Sequence, residues 1–294
     1  MVSNGSPPAP RGALTGAALL ALAALAVSCG GESSGPRKDD AKPSAAESAS
    51  SPGGAPDGEG PGGEAGDTPG RGPLSGKVVV IDPGHNPGNG KHADAINRSV
   101  DIGTGRKECD TTGTSTNDGY TEAAFTLDVA RRIRKVLEAE GATVKLTQDG
   151  SRAWGPCVDE RARIGNEAEA DAAVSIHADG SATGNRGFHV ILPAKVKDGA
   201  ADTRAITGPS RDLGERIADA FTRRTGSAPS NYIGDRGLDV RSDLGGLNLS
   251  KVPKVFIECG NMRDAREAAR LKSAKWRERA AQGIADGIGD HLKP

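Results

Sequence analysis

The chain has 294 residues, 38 Lys and Arg against 39 Asp and Glu, and 3% aromatic residues. A net charge near zero, with no basic stripe and few aromatics, excludes nucleic acid as the natural partner. The length allows one or two domains, but the first third is not domain-like.

Residues 12–28 form a short apolar run, preceded by Arg11 and followed by Cys29. The run is too short to span a bilayer comfortably and has the layout of a secretory signal. Its small residues before Cys29 resemble a lipoprotein signal, in which that Cys carries the lipid; an ordinary cleaved signal is the alternative. Either way residues 1–29 read as a signal segment, and the mature chain is expected outside the cytoplasm. Residues 30–73 are Gly, Pro, Ser, Ala, Asp and Glu with almost nothing apolar. Such a segment cannot bury enough surface to offset its ordering entropy, so it reads as a disordered tether. The folded domain is then 74–294, ample for one core and expected to be a monomer.

In that domain, Val78, Val79, Val80 and Ile81 are continuous and β-branched, as in a strand buried on both faces. Asp82, Pro83 and Gly84 break the run and leave His85 on a turn at the strand's carboxyl end. A Gly/Thr/Asn/Asp-rich stretch follows over 86–120. Residues 121–141 show helical periodicity through Ala124, Leu127, Val129, Ile133, Val136 and Leu137, and Gly141 closes the helix. A strand is expected over 142–147 and a short helix over 157–168, whose Glu160 and Arg161 read as an ion-paired structural face. A buried strand lies within 170–179 and ends at His177; the next covers 187–193, where His189 reads as structural. An amphipathic helix spans 209–225, a last strand lies within 251–260, and helical sequence runs from about 264 to the end, weakened by glycines at 283–289. His92 falls in the 86–120 stretch and His291 near the terminus, where it is expected to be exposed.

Strands that alternate with helices and are mostly continuous and apolar imply an α/β fold. The expectation is a single three-layer domain, a mostly parallel twisted sheet with helices on both faces. Outside the cytoplasm two of the remaining cysteines can pair. Cys109 and Cys157 lie in polar, turn-rich loops and are expected to be the pair, with Cys259 a free core thiol. A thiolate metal site is disfavoured because the cysteines lack close spacing.

In a parallel sheet the carboxyl ends of the strands share one rim, where ligands bind. His85, His177 and Glu258 all fall at such ends, and Glu122, in the first turn of the 121–141 helix, can face the same rim. Taken singly each has an ordinary reading: a polar loop residue, a core histidine, a helix-start acid favoured by the macrodipole. Glu258 fits its ordinary reading worst, because an unpartnered carboxylate between Ile257 and Cys259 would cost several kcal/mol. Two imidazoles and one carboxylate, His85, His177 and Glu122, make a zinc set with an open fourth position. Glu258 can then move protons between the attacking water and a leaving amine.

The segments IDPGHNPG, YTEAAFTLDVARRIRKVLEAEG, SIHADG and VFIECGNM resemble, in order, the four signature segments of the zinc-dependent N-acetylmuramoyl-L-alanine amidases of the amidase-3 family. The resemblance spans about 77–290. It implies a peptidoglycan hydrolase that cuts the amide between N-acetylmuramic acid and the L-alanine of the stem peptide. It places the zinc ligands on His85, Glu122 and His177 and the catalytic Glu on Glu258. The implied partners are peptidoglycan and, through Cys29, the membrane. The implied location is the outer face of the cytoplasmic membrane or the cell wall. The chain departs from the family in having Asn86 and Pro87, not glycine, after the first histidine, and in the 86–120 insertion. It lacks the long helical insertion that blocks the site in divisome-regulated relatives. Two alternatives remain at this level: a zinc peptidase acting on stem peptides, and an inactive wall-binding lipoprotein.

Overall fold

The computed structural model describes residues 72–293; the signal segment, Cys29 and nearly all of the tether lie outside the described residues. Strand β1 (Val78–Pro83) is followed by helix α1 (Ala93–Ile96) and a small antiparallel hairpin, β2 (Ser99–Asp101) and β3 (Arg106–Glu108). Next come α2 (Glu122–Ala139), β4 (Thr143–Leu146), α3 (Val158–Glu167), β5 (Ala172–Asp179) and β6 (His189–Pro193). A second small hairpin, β7 (Lys197–Asp198) and β8 (Ala201–Asp202), leads to α4 (Thr207–Thr225). The chain closes with β9 (Leu238–Arg241), α5 (Gly245–Asn248), β10 (Lys254–Asn261), α6 (Ala265–Lys272) and α7 (Ala274–Leu292).

Six strands form one sheet in the order β4-β1-β5-β10-β6-β9. β4, β1, β5 and β10 are parallel; β6 runs antiparallel to β10, and β9 runs parallel to β6. This is the expected mostly parallel α/β sheet. β9 has no counterpart among the expected strands, because LDVR is a short, half-exposed edge strand without an apolar run.

Side chains alternate across a strand, and here the two faces differ in kind. One face sends Val79, Ile81, Val174, Ile176, Val255, Ile257, Val190 and Leu192 into the main core. That core is completed by Phe125, Val129 and Ile133 of α2, Leu213 and Ile217 of α4, and Ile284 and Ile288 of α7. The other face begins apolar, with Val80 and Ala173 against Ile164 and Val252. By the same alternation it then carries Asp82, Ser175, His177, Lys254, Phe256, Glu258 and His189.

The C-terminal helical stretch divides at Ser273, whose side chain caps α7 by accepting from the Trp276 N–H. Its glycines do not merely weaken the helix. A Cβ on Gly287 would lie 2.5 Å from Ile217 Cα, so glycine here lets α7 pack directly on α4. His291 is not freely exposed as expected: its Nδ1 hydrogen-bonds Asp212 of α4 at 2.6 Å.

Arg161 also differs from expectation. Glu160 does pair with Arg152 near the surface, but Arg161 is 4% exposed and turns inward. Its guanidinium donates to Asp82 at 2.8 Å and Asp110 at 2.9 Å, and to the carbonyls of Pro83 and His85. Lys254 reaches the other Asp82 oxygen at 3.2 Å, and Thr147 and Ser175 donate to the same carboxylate. The Cys109–Cys157 disulfide joins the 86–120 insertion to the start of α3, and Cys259 is free and buried, both as expected.

Burial opposes ionisation of Asp82, but Lys254 and Arg161 outweigh it and hold its carboxyl far below the usual carboxylate range. A group with a depressed folded pKa stabilises the fold above its unfolded value of about 4, and that stability fades as pH falls below it. Asp82→Asn keeps the shape but leaves Lys254 without its carboxylate and Arg161 with Asp110 alone, which should cost about 3–5 kcal/mol at neutral pH. Urea unfolding should show this loss and a shallower acid dependence than wild type; equal stability at neutral pH would contradict it.

Candidate metal centre

Gly84 directly follows β1 and stays beside β5, its N–H bonded to the Ile176 carbonyl. A Cβ at Gly84 would lie 2.2 Å from His177 Cε1, so the glycine of DPGH is what lets the His177 ring pack against this turn. His85 then takes a left-handed φ of 62°, a conformation unusual for a residue with a Cβ. The turn aims its ring across the rim. Its Nε2 stands 3.2 Å from Glu122 Oε2, and its Nδ1 stands 3.1 Å from the Thr111 carbonyl. A partner on the far ring nitrogen is how metal-binding histidines are oriented.

Glu122 is the first residue of α2, whose N-cap Thr121 accepts from the Ala124 N–H. Its side chain is 4% exposed. It accepts from the backbone N–H of Thr114 at 2.9 Å and of Ala178 at 3.2 Å. Glu122 Oε1 lies 2.9 Å from His177 Nδ1, so one carboxylate touches both imidazoles. The ligand atoms of His85, Glu122 and His177 lie within 4.8 Å of one another. Two imidazoles and one carboxylate gathered this closely are a donor set that tetrahedral zinc takes, with a fourth position left open. The donor set and its spacing therefore suit a divalent metal.

Glu258 stands apart from this cluster. It pairs in register with His177 on β5 and with His189 on β6. His177 is thus not the last residue of its strand; β5 runs on to Asp179. Glu258 Oε2 is buried without a hydrogen-bond partner among the described residues. Burial, with Glu122 and Asp179 nearby, pushes its pKa well above the ordinary range. The rings of His177 and Phe256 stack at 5.2 Å, and a cavity of about 230 Å³ opens beside them, lined also by His85, Lys107, Val158 and Leu244.

Several supporting residues escaped the sequence reading. Thr111, Thr114 and Asp110 come from the insertion, so that segment builds the site as well as bordering it. The one available signal was Cys109, immediately before them. Asn86, at the departure from the family pattern, is buried and donates to the Gly155 carbonyl at 2.9 Å, anchoring the insertion's start.

The pattern of the amidase-3 family, N-acetylmuramoyl-L-alanine amidase, matches residues 79–290. The chain belongs to this family. An N-acetylmuramoyl-L-alanine amidase of Mycobacterium tuberculosis is 40% identical over 220 residues, 74% of this chain and 88% of that protein. The crystal structure of the amidase Ami1 from Mycobacterium smegmatis is 40% identical with a TM-score of 0.69, covering 74% of this chain and 98% of that one. The apo form of Ami1 from Mycobacterium abscessus gives the same identity and TM-score and is covered completely, 100% against 74% of this chain.

Burial disfavours charge on His85, but Glu122 and Asp110 outweigh it and raise the imidazole to about 10. A metal ion must displace that proton, so its apparent affinity for the stripped protein should rise by up to tenfold per unit across about pH 6 to 8. Titration of stripped protein with zinc at several pH values measures this. An affinity independent of pH over that range would contradict it.

Proposed function

We propose that the protein is a zinc-dependent N-acetylmuramoyl-L-alanine amidase that cuts the amide joining N-acetylmuramic acid to the L-alanine of the stem peptide in peptidoglycan. The observation that carries this reading is a half-buried carboxylate, Glu258, its Oε2 shut off from water, beside a three-residue metal cluster that does not include it. His85, Glu122 and His177 would hold the ion and leave its remaining position open. A bound zinc ion would polarise the scissile carbonyl and ease loss of a proton from the attacking water.

The other roles fall to this chain's own groups. Glu258, next to His177 in register, would accept the proton from the attacking water and deliver it to the leaving amine. Its burial and the nearby carboxylates of Glu122 and Asp179 support this double duty, because both favour the protonated form it must pass through. Thr111 and Glu122 would keep His85 oriented through the cycle. The stack of Phe256 on His177 limits water on that side. The cavity lined by Phe256, Val158 and Leu244 would take a small apolar part of the substrate.

The same reading places the protein where peptidoglycan is. Residues 1–29 would direct export, Cys29 would carry a lipid anchor, and residues 30–73 would tether the 74–294 catalytic domain to the outer face of the membrane. No helix among the described residues is long and apolar enough to cross a membrane.

Glu258→Gln keeps the shape and removes the titrating group. Turnover should fall about 10²–10⁴-fold while zinc content stays at the wild-type level. Mass spectrometry of muropeptides digested by the wild-type enzyme should show stem peptides with new N-terminal L-alanine. New termini inside the stem would indicate a peptidase instead. Retained turnover in Glu258→Gln would remove its catalytic role, and lost zinc would make it a ligand.

A further inference from the structure

His189 belongs to the same polar face as the metal cluster, and no role has been assigned to it. Register places His177, Glu258 and His189 side by side across β5, β10 and β6. Glu258 and His189 are direct partners of an antiparallel pair, and such partners project on the same side of the sheet with Cβ atoms about 5 Å apart. His189 is 3% exposed, and its Nδ1 is buried without a hydrogen-bond partner among the described residues. Glu258 Oε2 is in the same condition. Two unmatched buried polar atoms thus sit on facing residues, an arrangement that a merely structural histidine does not require.

We infer that His189 is a positioning residue for Glu258, its ring N–H holding the carboxylate toward the open side of the metal cluster through one bridging water. The inference rests on the amidase reading only for its effect on turnover; the contact itself does not depend on it. The surroundings fit the role. Tyr232 stands edge-on to the His189 ring at 6.1 Å, which limits its rotation. The Tyr232 hydroxyl donates to Asp179 at 2.7 Å, so an Asp179 oxygen is already engaged. Burial lowers the His189 pKa against the opposing pull of Asp179 and Asp239, while Arg241 lowers it further. The ring is therefore neutral near pH 7, with one N–H to donate and one nitrogen to accept. A neutral donor orients a carboxylate without fixing it permanently as an anion, which suits a group that must both take and give a proton.

The test uses the mature zinc-loaded protein and four variants: His189→Phe, His189→Asn, Glu258→Gln and the Phe/Gln double. His189→Phe should lower kcat about 10–100-fold with KM and zinc content near wild type, as outer-shell partners do. His189→Asn, which keeps a donor, should recover much of the loss. In the Glu258→Gln background the Phe substitution should add nothing, because a residue acting through Glu258 has nothing left to act on. Additive losses, or an unchanged kcat in His189→Phe, would overturn the inference. A second measurement covers a Phe variant that fails to fold. The ¹⁵N imidazole resonances of His189 should shift between wild type and Glu258→Gln, and identical resonances would overturn the contact. If wild type releases no stem peptide, the amidase reading fails, and the ¹⁵N comparison alone decides whether His189 holds Glu258.

Discussion

A carboxylate almost wholly removed from water must find partners or give up its charge. Glu122 is in that position, and the rest of the site is arranged around it. Two backbone N–H groups and two imidazoles surround its oxygens, and the imidazoles outweigh burial to keep it ionised. The three residues come from separate pieces: the turn after β1, the first turn of α2, and the end of β5. Their meeting point is therefore where the whole rim is held in register. The same arrangement would suit a bound metal. A divalent cation would take the place of a proton shared among groups that are already desolvated and already close.

What aims these groups is a sheet with two unlike faces. On β10 the residues Val255, Ile257 and Cys259 enter the core, while Lys254, Phe256 and Glu258 alternate onto the other face. The charged triad of Asp82, Arg161 and Lys254 lies beneath the site on that polar face, and Arg161 also holds the carbonyl of His85. Stability and function thus draw on one set of contacts. The disulfide extends this logic to the insertion. Cys109 fixes the neighbouring Asp110 and Thr111, which contact His85, and Cys157 fixes the start of α3, from which Arg161 projects.

Much of this was legible in the sequence because the relevant signals are local. An apolar run ending in DPGH, a helix opened by Thr121-Glu122, and strands ending in SIHAD and VFIECG each declare their element and their polar residue within a few positions. Topology then brings those ends together. The paired cysteines followed from compartment and loop context. What escaped notice depends on long-range partners. Arg161 looked like one charge on a helical surface, since nothing nearby announces Asp82 or Asp110 as its partners. β9 carries too little apolar sequence to be read as a strand. His189 sits in GFHVILP like any strand residue, and only the antiparallel pairing of β6 with β10 sets it opposite Glu258. The glycines of α7 looked like helix weakeners because the helix they pack against was not in view.

The central claim is that one metal ion sits on His85, Glu122 and His177 with Glu258 beside it and not bound to it. Anomalous diffraction at the zinc edge from crystals of the zinc-loaded protein tests this most directly. The account predicts one peak bonded to one nitrogen of each histidine and to Glu122, with Glu258 beyond coordinating distance but facing the open position. A peak elsewhere, no peak, or Glu258 as a direct ligand would contradict it.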